Sequence, residues 1–440
     1  MFSPLLPLKK TILNPERPLS WFFLIVFTMY AWSQSMMFIF EYYLDMHWAI
    51  ILSRLLLLYL ALHLISFLYV KPPRIFVTMG LLYIGIMFLY ALLEFVLDNG
   101  SQLLKGALKT SIVTLLMLRI MTTDKSLNRL LLINFFFGFV AVLLSTVPLL
   151  ATSGFIDLHG TPISRVGGET LRPDLDPISY GIFGLTENHV PSGKHFPRLQ
   201  GWSSEPQHWG YLVFYVLGIG VLAAKSIRNN IIVMPFMPLL LFIIVHIWFI
   251  GSTAAYLSLV SVFAGFFLLV GLDRFNIAKL NHWLFLFLLI LIPGLIIPFC
   301  LGAIPFFESY FLRFDLMGEG QNWIQKLSFL DYGTELYSRS IPVPGDGFHS
   351  THIFILNTYL DFGYIFLLPL IYFFYRFSCC VVSLPNYTML LASCFWVVSN
   401  TLLSARGFFL PVSGIFLMML IRFSFYNRAG IATSPEQKAI

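Results

Sequence analysis

The stretch GDGFHSTHIFILNTYLDFGYIFLLPLIYFFYR, Gly345–Arg376, changes character partway along. Its first residues are polar and include Asp346, His349 and His352. From Ile353 onward the chain is apolar for about the length that crosses a bilayer, roughly 20 residues, and it stops at a cation, Arg376. A polar loop that feeds a greasy run ending in Arg is the grammar of a membrane protein.

Working outward, similar runs occur at about 20–40, 49–70, 75–97, 103–121, 128–151, 206–224, 231–250, 252–271, 282–305, 353–376, 386–404 and 407–423. The composition agrees: 58% of the 440 residues are hydrophobic, only 11% are charged, and Phe alone contributes 46. No soluble globular domain has that balance. The expected fold is therefore all-α, a single integral membrane domain over 1–440 with about twelve transmembrane helices.

Lys and Arg collect beside alternate ends of these runs, and such residues favour the cytoplasmic side. A cytoplasmic N-terminus puts Lys9, Lys10, Arg17, Lys71, Arg74, Arg119, Lys125, Arg129, Lys225, Arg228, Arg274, Lys279, Arg376, Arg422, Arg428 and Lys438 inside, while Glu41, Asp45, Glu94 and Asp98 fall in short outer turns. An even number of spans makes both termini cytoplasmic. The first run follows Lys9, Lys10 and Arg17 and is too long for a signal-peptide core, so it reads as an uncleaved signal anchor. The net charge of +6 is spread over inner loops facing anionic lipid, with no basic block to suggest a nucleic-acid partner. Cys300, Cys379, Cys380 and Cys394 all lie in apolar runs, an arrangement unsuited to a disulfide framework or a Cys metal site.

Two long loops, 152–205 and 306–348, fall on the outer side in this topology. Loops of that length usually carry function. The first, with Arg165, Arg172, Arg198, His159, His189, His195, Trp202 and Glu205, reads as a folded binding segment. Charges also gather at the outer ends of spans: Arg54 about a turn into the second, and Lys105 and Lys109 one helical turn apart, on one face, in the fourth. Snorkelling to the headgroups and lining an anion-binding cavity are both open readings of these cations. A transporter would more often place such charge at the midplane, in broken helices of matching halves.

His352 is followed by Leu356, Tyr359, Asp361 and Gly363. This segment resembles the signature of the bacterial O-antigen polymerase and ligase superfamily, in which a His heads a helix patterned with Leu, an acid and Gly. A second segment, RLQGWSSEPQHWG from Arg198, is similar to the family's Arg-x-x-Gly motif with a following Glu-Pro, here Glu205 and Pro206. Ile353 stands where the family usually has Asn, and GSTAAYLSL from Gly251 lacks the Arg of the ligases' Ser-Arg pair. With Glu205-Pro206, that Ser/Thr-rich version is closer to the polysaccharide polymerases.

The resemblance implies a glycosyltransferase that joins polyprenyl-diphosphate-linked oligosaccharides at the outer face of the bacterial inner membrane. Ligase-type transfer to lipid A core or protein is the alternative, and a transporter is the second. The implied partners are an undecaprenyl-diphosphate-linked oligosaccharide, membrane lipid, and chain-length regulator and flippase proteins; no cofactor is implied. Arg198 would hold the leaving diphosphate, since guanidinium meets phosphate with a planar, permanent charge. His352 would be the general base for the acceptor hydroxyl, a role worth roughly 10²- to 10⁴-fold. His349 and Glu205 are further acid/base candidates. Lys105, Lys109, Arg54 and Arg406 are candidates for the anion, and Trp202 for stacking on a sugar or anchoring at the interface. Asp346, His349 and His352 could alternatively hold a metal, although no fourth ligand stands at recognisable spacing.

Overall fold

The computed structural model describes residues 18–33, 46–64, 72–98, 102–162, 178–180, 183–189, 195–203, 206–226, 230–274, 354–381, 387–403 and 407–432. The chain is mostly helical. Every apolar run except 282–305, which lies outside the described residues, coincides with a helix. These are α1 Trp21–Ser33, α2 Met46–Leu64, α3 Arg74–Asp98, α4 Gln102–Ile120, α5 Asp124–Leu144 with its short continuation α6 Val147–Thr152, α7 Pro206–Ser226, α8 Asn230–Phe249, α9 Thr253–Arg274, α10 Phe354–Val381, α11 Tyr387–Val398 and α12 Pro411–Ala432. Among the described residues, four helical segments are long and apolar enough to cross a membrane: Arg74–Val96, Asp124–Thr152, Pro206–Ser226 and Phe362–Val381. Six others are apolar but shorter.

Apolar side chains face outward as well as inward, which is how a helix bundle sits in lipid rather than water. On α2, Leu55, Leu58 and Leu62 form one outward stripe, each more than half exposed. The axis of the bundle is α7, where every residue from Trp209 to Ala223 is buried. Helices approach it through small residues, the usual device where lipid removes the hydrophobic drive for helix association. A Cβ on Gly218 would sit 2.2 Å from the ring of Phe416 on α12, and one on Gly138 of α5 would sit 2.4 Å from Val216.

Buried polar side chains tie the helices at specific heights. Asn134 on α5 accepts from Trp32 Nε1 of α1 at 3.2 Å and from the Tyr215 hydroxyl of α7 at 3.0 Å, and donates to Thr28 at 3.0 Å. The contacts also orient the bundle. Just before α12, Phe409 meets Thr110 of α4, and on α12 Ser413 meets Tyr211 of α7, whereas Arg422 reaches Met121 just past the far end of α4. The starts of α4, α7 and α12 therefore share one end, and Met121–Arg129, Ser226 and Arg422 share the other.

The chain is not wholly helical. Within 152–205, strands β1 Thr161–Pro162, β2 Ile178–Tyr180, β3 Phe183–His189 and β4 His195–Gly201 form an antiparallel sheet in the order β1-β2-β3-β4. The reading of an all-α chain contained no strand, because the Gly- and Pro-rich composition of this loop hides the short alternations. Strand β4 packs on α6, α7 and α8 at the end where α7 begins.

Candidate active site

Arg198 lies on β4, paired in register with Thr186 of β3. It is half-buried, and the next two residues, Leu199 and Gln200, are buried. The strand ends at Gly201, whose φ of +58° is a left-handed conformation that L side chains rarely adopt. Gly201 also rests on the indole of Trp209, where an added Cβ would sit 2.2 Å away. Both constraints demand Gly three residues after Arg198. The spacing of the motif thus has a physical cause: the turn drops the chain from the sheet onto the first turn of α7.

Trp209 donates its indole N–H to His246 Nε2 of α8 at 3.2 Å, and Ser145 Oγ at the end of α5 lies 3.1 Å from the same nitrogen. Since indole is only a donor, Nε2 accepts and the ring proton sits on Nδ1. His246 is 2% exposed, and its Nδ1 has no partner among the described residues. This node links α5, α7 and α8 beneath β4. Sequence offered no signal for it, because Ser145 and Trp209 stand 101 and 37 residues from His246.

Trp202 belongs to the same packing. Only 7% of its surface is exposed, and it lies against Trp32, Phe137, Phe183 and Trp209, nearly parallel to Phe137 at 25° between planes. A sugar-stacking platform needs an open ring face, so that expectation is corrected. Trp202 is the plug that fixes the sheet to the bundle.

Arg54, Lys105 and Lys109 come together. Helices α2 and α4 pack side by side, and Lys109 feels the charges of both Lys105 and Arg54. Arg54 and Lys105 are exposed, and Lys109 is half-buried. His63 near the end of α2 feels Arg119 near the end of α4, so the two helices run parallel with Arg54 and Lys109 at one height. The trio sits at the end that carries the sheet, yet its helices have α1, α3 and α12 as neighbours, whereas β4 rests on α6, α7 and α8.

A third structure stands at that end. Helix α11 passes into a π turn, Ser399–Leu403, and α12 is preceded by a 3-10 turn, Gly407–Phe409; both turns are buried. Irregular backbone at membrane depth survives only where protein satisfies its polar groups. Ser413 donates to the Gly407 carbonyl at 2.5 Å, the Tyr83 hydroxyl of α3 to that of Phe408, and Thr110 of α4 to that of Phe409 at 2.6 Å. The Tyr211 hydroxyl in turn pairs with Ser413. Against the 3-10 turn lies the start of α10, with Phe354 stacked on Phe408 at 5.7 Å between centroids and Tyr90 of α3 beside Phe409 at 4.3 Å.

Helix α10 is itself broken at Gly363, which adopts φ +60° and ψ −152°, a conformation essentially reserved for Gly. The Gly that closes the His352 motif is therefore the hinge between a short helical segment from Phe354 and the span Phe362–Val381.

His352, His349, Glu205 and Arg406 lie outside the described residues, as does the whole of the second long loop, 306–348, with Asp346. Their chain neighbours are described: Phe354 follows His352 by two residues, Pro206 opens α7 directly after Glu205, and Gly407 follows Arg406. Among the described residues no three His, Cys, Asp or Glu are grouped to hold a metal. Comparison with protein families, with curated proteins and with solved structures finds no match to this chain.

Proposed function

We propose that the protein is a glycosyltransferase of the bacterial inner membrane that joins polyprenyl-diphosphate-linked oligosaccharide repeat units into a cell-surface polysaccharide. The observation that carries the reading is the gathering of cations beside irregular structure at one end of the bundle. Arg198 and the Arg54, Lys105 and Lys109 trio gather at the end with the sheet and the broken helices. At the other end, Arg422 and Arg129 are occupied with backbone carbonyls and Asp124. On the charge rule that second end is cytoplasmic, which turns the sheet end outward.

No nucleotide sugar or ATP is available outside the inner membrane, so the donor itself must carry the energy for the new glycosidic bond. A diphosphate supplies it by leaving well. Arg198 meets the charge growing on that group, and His352, two residues before Phe354 in the sequence, takes the proton of the attacking sugar hydroxyl. Undecaprenyl-diphosphate-linked oligosaccharide is the substrate, with flippase and chain-length regulator proteins as functional partners. The Gly251–Leu259 segment, which lacks the ligases' Arg, favours polymerisation over transfer to lipid A core or protein.

Deleting the gene and separating the cell's polysaccharide on a gel tests this. A polymerase leaves single repeat units attached and no long-chain ladder; accumulation of free lipid-linked polymer would mark a ligase instead. Complementation with Arg198→Lys, which keeps charge but loses the bidentate fork, and with His352→Ala is expected to leave the ladder absent at wild-type protein levels. A normal ladder from His352→Ala would refute its role as the base.

A further inference from the structure

Helices α5 and α6 carry an outward apolar stripe that continues past the end of the helix. Phe136, Val140, Leu143 and Leu150 are exposed at helical spacing on one face, and Phe155, Ile156 and Leu158 follow, exposed as well. Phe155 is the extreme case at 81%. The turn that carries it is nonetheless closed by hydrogen bonds. Gly154 adopts φ +74°, its N–H donates to the Ala151 carbonyl at 3.1 Å, and the Phe155 N–H donates to the Leu150 carbonyl at 2.9 Å. These are the two bonds of a Schellman motif, in which an apolar residue after the Gly frequently packs back on the helix. Phe155 instead stands clear of it, held out by an ordered backbone.

Depth shows what meets these side chains. Arg129 is the last cation of α5, and no Lys or Arg follows it before Arg165. From Leu130 to Leu150 the chain runs roughly 20 residues, a helical rise of about 30 Å, which is the thickness of the hydrocarbon core. The turn at Gly154 therefore lies at the far edge of that core. Polar groups begin there too: Asp157 and His159 are almost wholly exposed and stand 3.8 Å apart.

We infer that Phe155, Ile156 and Leu158 form a wedge seated in the outer leaflet of the membrane, at the boundary between acyl chains and headgroups, with Asp157 and His159 in the headgroup layer. The occupant is lipid because the wedge is continuous with the outward stripe of α5 and lies at the depth where that stripe leaves the hydrocarbon. The seat is apolar rather than electrostatic, since no cation stands between Arg129 and Arg165 to attract anionic headgroups. Helix α6 packs on β2, β3 and β4, so the wedge ties the sheet to the leaflet surface and sets its height. This seat requires a membrane around the bundle; it does not require the proposed transfer chemistry.

The photoreactive residue p-benzoylphenylalanine, placed at position 155 of the full chain and irradiated in cells, tests the seat. Mass spectrometry is expected to find phospholipid joined to that position. In a second measurement, Ile156→Cys and His159→Cys are labelled with a membrane-impermeant maleimide in cells whose outer membrane has been permeabilised, with the wild-type chain and its four native cysteines as the blank. Both positions are exposed on the protein itself, so a difference between them reports the membrane. The thiol at 156 is expected to react about tenfold more slowly than the thiol at 159, because apolar surroundings disfavour the reactive thiolate and exclude the reagent. Joining of position 155 to a second copy of the chain or to another protein, absence of any phospholipid adduct, or equal labelling rates at 156 and 159 each overturns the inference.

Discussion

The two ends of the bundle use the same residue types for opposite purposes. At the end holding Met121–Arg129, two arginines have structural tasks. Arg422 is buried, donates from Nε to the Met121 carbonyl at 2.9 Å, and pairs with Asp124 at 2.5 Å. Arg129 donates to the Leu19 carbonyl at 3.2 Å and lies 5.0 Å over the ring of Trp21. Ser226 closes the same end by bonding Asn128 at 2.6 Å. At the other end, cations crowd one another on α2 and α4, helices break at Gly363 and around Ser399–Phe409, and a sheet covers α7. Regular, self-satisfied structure marks the end that holds the fold together. Irregular structure with concentrated charge stands at the other end, where the proposed function puts the lipid diphosphate.

If that division is right, substitutions at the two ends should separate stability from activity. The largest expected effect is at Gly201, where a side chain meets both a left-handed backbone and the Trp209 ring. Gly201→Val is expected to cost about 3 kcal/mol or more and to remove most folded protein, read by detergent-solubilised yield and thermal unfolding. Near-normal yield would show that the β4 turn does not rest on α7 as described. Next in size is Asn134→Leu, which deletes ties among α1, α5 and α7. At about 0.6 kcal/mol for each interhelical bond, a loss of about 1–2 kcal/mol is expected, with transfer activity per folded molecule unchanged.

Arg422→Gln sharpens the contrast. Asp124 is 75% exposed, so the ion pair is worth little, and the expected change is about 1 kcal/mol of stability with lipid binding intact. Loss of lipid binding in that variant would erase the distinction between the ends. Smallest is Ser226→Ala, expected within about 0.5 kcal/mol of wild type.

Much of this architecture was legible in the sequence, and the reason is the solvent. Because a helix in lipid must satisfy its own backbone, long apolar runs have few alternatives to helix, and eleven of the twelve runs read that way coincide with described helices, 282–305 being the exception. The Arg198 and His352 motifs were visible as spacings, but their meaning was not. Only coordinates show that Gly201 is fixed by Trp209 and that Gly363 breaks α10. The Lys105–Lys109 pair was legible from helical periodicity and Arg54 from its height in the second run, whereas the packing of α2 on α4 is a contact with no local signature. Trp202 shows the reverse failure. A Trp beside a polar motif invites a sugar-binding reading, and burial among four other rings assigns it to packing.

The central claim is that this bundle makes a glycosidic bond using energy carried by a lipid diphosphate. The direct test is to incubate purified protein in detergent with a synthetic polyprenyl-diphosphate repeat unit, in excess chelator and with no membrane or ion gradient, and to measure product length by mass spectrometry. The account predicts products lengthened by whole repeat units, with one polyprenyl diphosphate released for each bond formed, and a sharp loss of turnover in Arg198→Lys. Unchanged substrate in detergent, together with gradient-driven movement of the same glycan across sealed vesicles, would contradict it and identify a transporter.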